Sequence, residues 1–211
     1  MQILMALARD QKGLGGRMRS LICDDIKNIT EEELRRDLLL LPDWRREAAE
    51  RYRFFSGRVQ STKAYLLLRQ ALFEEYGIRD DSGFAYGEHG KPYLADHPDI
   101  HFNLSHCKEA VMCVVDDRPV GCDIESIERK PDLALLKRTM SPAEQEKVFA
   151  SSAPEIEFMK LWTAKEAVLK QRGTGLTEDL ADLLAGVSDE GLIIETTPVP
   201  EKGYVCSVCH L

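Results

Sequence analysis

No long hydrophobic run occurs in this chain. In 211 residues no stretch approaches the roughly 18 uncharged apolar residues of a membrane span, and Ile3 to Ala8 is too short for the core of a secretory signal. The expected location is therefore the cytoplasm, with no membrane partner. Repeats, linkers and low-complexity tracts are also missing, which excludes solenoids and flexible arrays. Positive charge is in deficit: 28 Lys and Arg face 36 Asp and Glu, a net charge of −8, so the basic face that nucleic acid would need is not expected. Disulfide-type spacing is absent too. Cys23, Cys107, Cys113, Cys122, Cys206 and Cys209 are scattered through apolar segments and suit reduced, buried thiols. The tail Cys206-Ser207-Val208-Cys209-His210 has a haem-attachment spacing, but no export signal accompanies it, and Tyr204, Cys206 and Val208 alternate as in a half-buried strand.

What is present is an apolar fraction of 44%, enough for one large domain or two small ones to bury a core. Ser20 to Cys23 is a plausible first strand, and Thr30-Glu31-Glu32-Glu33 is a capping box that opens a helix. Helices are expected over Trp44 to Tyr52 and Gln60 to Tyr76, the latter ending at Gly77. The stretch Arg51 to Phe73 carries Arg51, Arg53, Arg58, Lys63 and Arg69 without an acid, an anion-attracting patch within an acidic chain. Asp80 to Asp99 is a loop-rich segment holding Gly87-Glu88-His89-Gly90-Lys91-Pro92. Strands follow at Ile100 to Leu104, Ala110 to Val115 and Val120 to Ile124, with the turn Asp116 to Pro119 marking a hairpin or a crossing between subdomains. Ser141-Pro142 with Glu144 caps another helix, and Leu192 to Thr196 and Tyr204 to Val208 close the chain as strands.

Two constellations carry candidate chemistry. Along Val120-Gly121-Cys122-Asp123-Ile124-Glu125, the two-residue period of a strand puts Asp123 and Glu125 on one face and Cys122 and Ile124 on the other. Paired carboxylates repel unless a cation lies between them; a solvated strand end is the alternative. In the helix ending at Gly173, Trp162, Glu166 and Lys170 stand four residues apart on one face. Taken alone, Glu166 and Lys170 are a surface ion pair worth about 0.3–0.5 kcal/mol. Together, Asp123, Glu125 and Glu166 would offer Mg²⁺ the oxygen ligands a hard cation prefers. Ser105 and His106, just beyond a short strand, are placed as donors to an anion rather than as a nucleophile and its base, with a structural histidine as the alternative.

Gly90-Lys91-Pro92, Asn103-Leu104-Ser105-His106, Val120 to Glu125 and Trp162-Thr163-Ala164-Lys165-Glu166 through Lys170 resemble, in order and spacing, the motifs of the 4′-phosphopantetheinyl transferases of the surfactin-synthetase-activating type. The resemblance runs from about Ser20 to the C-terminus. It implies an α+β fold of two similar α/β halves in one chain, 18–118 and 119–211, related by a pseudo-twofold axis with the active site between them. It also implies Mg²⁺-dependent transfer of 4′-phosphopantetheine from coenzyme A to a serine of an apo acyl or peptidyl carrier protein, releasing adenosine 3′,5′-bisphosphate, by a monomer. Asp123, Glu125 and Glu166 match the metal ligands, Lys170 the pyrophosphate lysine, and Glu166 the general base, with Glu144 as a second candidate. Coenzyme A would be held by Lys91, Pro92, Ser105, His106, Lys165, Lys170 and the basic helix start around Arg58, Gln60, Ser61 and Lys63. Another Mg²⁺-dependent phosphoryl transfer or hydrolysis on the same carboxylates, and a non-catalytic carrier-binding protein, are the rival readings.

Residues 1–17 precede the resemblance and carry the breaking sequence Lys12-Gly13-Leu14-Gly15-Gly16. They are expected to be an extension ahead of a natural start at Met18, the alternative being an extra strand with Ile3, Met5 and Leu7 on one face.

Overall fold

A computed structural model of the chain describes residues 17–128, 132–175 and 179–211, so the expected extension lies almost wholly outside the described residues. Strand β1 (Arg19–Cys23) leads through a single 3₁₀ turn to helix α1 (Glu31–Leu38), whose start is the expected capping box: Glu33 N–H donates to Thr30 Oγ1, and Glu33 reaches back to the Thr30 amide. Helix α2 (Asp43–Glu50) follows, and then α3 (Phe55–Tyr76), which begins five residues before the expected Gln60 and ends on Gly77 in the left-handed conformation (φ 70°). The loop-rich segment contains a small hairpin, β2 (Phe84–Tyr86) with β3 (Pro92–Leu94), in antiparallel register. Three-residue strands are too short to show a period in sequence.

Strands β4 (His101–His106) and β5 (Val111–Asp116) pair antiparallel, and β6 (Gly121–Ser126) follows the Asp116 to Pro119 turn. Because β6 leaves for a different sheet, that turn is a crossing and not a hairpin. Helices α4 (Leu133–Thr139), α5 (Pro142–Ala150) and α6 (Pro154–Arg172) precede the closing hairpin of β7 (Ile193–Val199) and β8 (Tyr204–His210). Helix α6 ends, as expected, on left-handed Gly173. One three-stranded sheet has the order β1-β5-β4 and the other β6-β8-β7. In each, the strand that comes last in sequence lies in the middle, and a long helix, α3 or α6, separates the first strand from the second.

Alternation along the strands stacks these elements helix, sheet, sheet, helix. Leu21, Val111, Cys113 and Val115 face Leu68 and Leu72 of α3, while Ile22, Met112 and Val114 face the other way, onto Cys122, Ile124, Cys206 and Val208 of the second sheet. Cys209 of β8 packs with Ala167, Val168 and Leu169 of α6. The expected separation of Cys122 and Ile124 from the Asp123 face is thus realised. Among the described residues no helix is long and apolar enough to cross a membrane.

The approach of α6 to β6 depends on Gly121. A Cβ at that position would stand 2.1 Å from Ala167 O and 2.3 Å from Gln171 N, both main-chain atoms that cannot rotate aside. Gly121→Ala is therefore expected to lower unfolding free energy by about 1–3 kcal/mol or more, since overpacking against backbone must shift a whole helix. Urea unfolding checks this; a loss below about 0.5 kcal/mol, the scatter of neutral surface changes, would contradict it.

Candidate functional site

The two sheets meet where β4 runs beside β6, and side chains make the junction. Asn103 Oδ1 accepts the Cys122 amide (2.9 Å) and Ser105 Oγ accepts the Ile124 amide (3.3 Å), so two β4 side chains stand in for main-chain carbonyls along the free edge of β6. Ser105 also donates to Asp123 Oδ1 (2.8 Å). From α6, the Lys170 ammonium donates to Asp123 Oδ1 (2.6 Å) and to Ser105 Oγ (3.2 Å). A strand of one sheet and the helix packed on the other thus converge on one buried carboxylate of β6.

On either side of Lys170 lies a cavity of ≈ 290 Å³. One is walled by His89, Gly90, Lys91 and Pro92 of the β2–β3 hairpin, by Asn103, and by Gly173 and Gly175 beyond α6. The other is walled by Ser105, His106, Asp123, Glu125 and Trp162. Glu166 and Lys170 line both. Burial pushes the Glu166 carboxyl above its ordinary value, and the charge of Asp123 adds to this while Lys170 opposes it. For Lys170 burial works downward, but Asp123 and its other anionic neighbours outweigh it and the ammonium is held above the usual lysine range. Burial, with Lys170 nearby, lowers His106, which favours a neutral imidazole.

Other expected residues lie elsewhere. Lys165 is buried (1% exposed) and donates to Glu144 (2.7 Å) and to the carbonyls of Thr139, Leu180 and Ala181, and neither Lys165 nor Glu144 lines either of these two cavities. The two groups are spent on each other, and this geometry gives no support to their expected roles as coenzyme A contact and second base. Gln60 Nε2 is committed to Cys107 O (2.8 Å), Ser61 is buried and accepts from Arg45 (2.8 Å), and Lys63 pairs with Asp37 (2.8 Å). Arg58 lines a separate pocket of ≈ 210 Å³ with Glu31, Glu50 and Phe55. The helix-start patch therefore lines neither cavity: Gln60, Ser61 and Lys63 have internal partners, and Arg58 faces a pocket of its own. Lys91 does reach the first cavity, yet its ammonium donates to Val120 O (3.0 Å) and Gln171 O (3.2 Å), capping the end of α6 from the hairpin.

Whether Asp123, Glu125 and Glu166 suit a divalent cation can be judged from the donors. Among the described residues no three His, Cys, Asp or Glu side chains gather closely enough to hold a metal ion, so a ligand set complete in itself is not assembled. Asp123 Oδ2, however, is buried without a hydrogen-bond partner, and three carboxylates line one cavity beside it. That donor set is all hard oxygen and suits Mg²⁺, which binds through one or two carboxylates and keeps water or phosphate oxygens for the rest. Sequence reasoning missed Asn103, whose signal was only its place in the Asn103-Leu104-Ser105-His106 motif, and the cavity walls supplied by Gly173 and Gly175.

Comparison with known proteins gives the family of the chain. The family model described as the 4′-phosphopantetheinyl transferase superfamily matches residues 119–209. The 4′-phosphopantetheinyl transferase psf-1 of Bacillus pumilus is 37% identical over 168 residues, covering 78% of this chain and 70% of that protein. Sfp, the 4′-phosphopantetheinyl transferase of Bacillus subtilis (strain 168), is 30% identical over 197 residues, covering 86% and 87%. HetI, the 4′-phosphopantetheinyl transferase of a Nostoc species, is 31% identical over 177 residues, covering 76% and 74%.

Burial without a carboxylate partner lowers Lys91 from 10.5 to about 8. The folded state therefore binds fewer protons than the unfolded state between those values, and stability rises with pH across that window as the penalty of a buried charge disappears. Urea midpoints from about pH 8 to 10 should climb more steeply in the wild type than in Lys91→Met. Parallel curves would show that Lys91 carries no such penalty.

Proposed function

The chain belongs to the 4′-phosphopantetheinyl transferase superfamily, a family of transferases, and on that premise we propose that it moves 4′-phosphopantetheine from coenzyme A to a serine hydroxyl of an apo acyl or peptidyl carrier protein, leaving adenosine 3′,5′-bisphosphate. The observation that carries the proposal is that Glu166 and Lys170 stand at the junction of two cavities, so a donor in one and an acceptor serine in the other would meet over them. Lys170 places a positive charge where the pyrophosphate crosses and stabilises the leaving phosphate. Glu166, which lines both cavities, takes the serine proton as the oxygen attacks phosphorus. A neutral His106 donates to phosphate oxygen. Asp123, Glu125 and Glu166 would hold Mg²⁺, which when bound polarises the transferring phosphate and neutralises developing charge.

The rest of the proposal is structural. The matching strand orders, each with its long helix between first and second strands, support two similar halves related by a pseudo-twofold axis. Six free thiols, five of them buried, support residence in the reducing cytoplasm, and we take the acting species to be a monomer.

Intact-mass analysis of a panel of apo carriers incubated with the protein, coenzyme A and Mg²⁺ tests this directly. A carrier should gain one phosphopantetheinyl group; no gain on any carrier would contradict the proposal. Glu166→Gln should slow transfer by about 100-fold or more while folding normally, and Asp123→Ala should be similarly damaging. Cys122→Val, on the opposite face of the strand, should change rate by less than about threefold. Equal damage at Asp123 and Cys122 would mean that the carboxylate face does not meet the substrate.

A further inference from the structure

The most deeply buried charge in the second half of the chain is one that neither cavity uses. Lys165 precedes Glu166 on α6, and its ammonium, with three protons, faces four oxygens: Thr139 O at 2.9 Å, Glu144 Oε2 at 2.7 Å, Leu180 O at 2.5 Å and Ala181 O at 3.1 Å. Glu144 Oε2 also accepts the Ser141 amide (2.8 Å), so one carboxylate both caps α5 and neutralises the lysine. Thr139 ends α4, and Leu180 and Ala181 lie downstream of the Gly173 and Gly175 wall of the first cavity. Two residues further, Leu183 packs into the cluster of Ala167, Val168 and Leu169 on α6.

We propose that Lys165 is a positioning residue that, with Glu144, clamps the α4–α5 corner and the Leu180–Ala181 segment onto α6, and so fixes where Glu166 and Lys170 stand between the cavities. The clamp rests on the transferase reading for its catalytic consequence, but the clamp itself does not. Successive helical residues are displaced by about 100° around the axis, so anchoring Lys165 inward orients Glu166 towards the cleft. Removing either partner leaves the other as an uncompensated buried charge, so the contact is costly to break from either side. The side chain is 1% exposed, and Glu144 and three main-chain carbonyls already take up its ammonium protons.

The test compares Lys165→Met, Glu144→Gln and the double variant by hydrogen exchange across residues 180–186 and by initial rates at varied coenzyme A. Lys165→Met should speed exchange in that segment and lower kcat about 10- to 100-fold, because small displacements of reacting groups are costly, with the coenzyme A KM unchanged within about twofold. The double variant should recover part of both losses, since it leaves no unpaired carboxylate behind. Should Lys165→Met fail to fold, Glu144→Gln, which keeps an oxygen for the Ser141 cap, must show the same pattern in milder form. A KM for coenzyme A raised about tenfold with kcat retained would place Lys165 on the donor and overturn the proposal, as would wild-type exchange and kinetics in the variants. If the wild type modifies no carrier, the exchange result still decides the clamp, and the failure belongs to the transferase reading alone.

Discussion

The architecture turns on one contact, the Lys170 ammonium on Asp123 Oδ1 at 2.6 Å, with the Ser105 hydroxyl donating to the same oxygen. Asp123 is 4% exposed and sits at the seam between the two sheets, where no continuous ladder joins β4 to β6. A carboxylate there would be prohibitive without a counter-charge, and the counter-charge comes from α6, which reaches it only because Gly121 lets the helix lie against the strand. The seam, the helix packing and the electrostatics of the cleft are thus one arrangement.

The same arrangement leaves something unsatisfied. Ser105 is saturated, donating once and accepting from Ile124 N–H and Lys170, yet Asp123 Oδ2 has no hydrogen-bond partner and Glu166 is held above its ordinary range nearby. Native structures seldom bury a bare carboxylate oxygen, and this one belongs to a side chain that lines a cavity rather than the core. A cleft with an orphan acid oxygen and a shared lysine suits a substrate that brings both phosphate and a cation.

The sequence displayed whatever depends on near neighbours. Thr30 with Glu33 and Ser141 with Glu144 were visible as capping boxes, Gly77 and Gly173 as helix ends, and the two faces of β6 as an alternation, because each is set by spacings of four residues or fewer. What stayed hidden depends on chain-distant carbonyls. Lys91 and Lys165 look in sequence like groups waiting for a phosphate, but one is held by Gln171 O, 80 residues away, and the other by Thr139 O, 26 residues away. Main-chain oxygen carries no sequence signature, so a lysine that caps a helix and one that binds an anion are written identically. The partner of Gln60 was hidden for the same reason, being Cys107 O, whereas Ser61 accepts from the Arg45 side chain, 16 residues away.

The measurement that bears most directly on the central contact is a double-mutant cycle in urea on Lys170→Met and Asp123→Asn. If this pair closes the seam, each single variant leaves a buried or half-buried charge unpaired and the two losses are not additive. A coupling of about 1–3 kcal/mol is then expected, as for close pairs in one network. A coupling below about 0.3 kcal/mol, with additive losses, would mean that the halves are held without this contact.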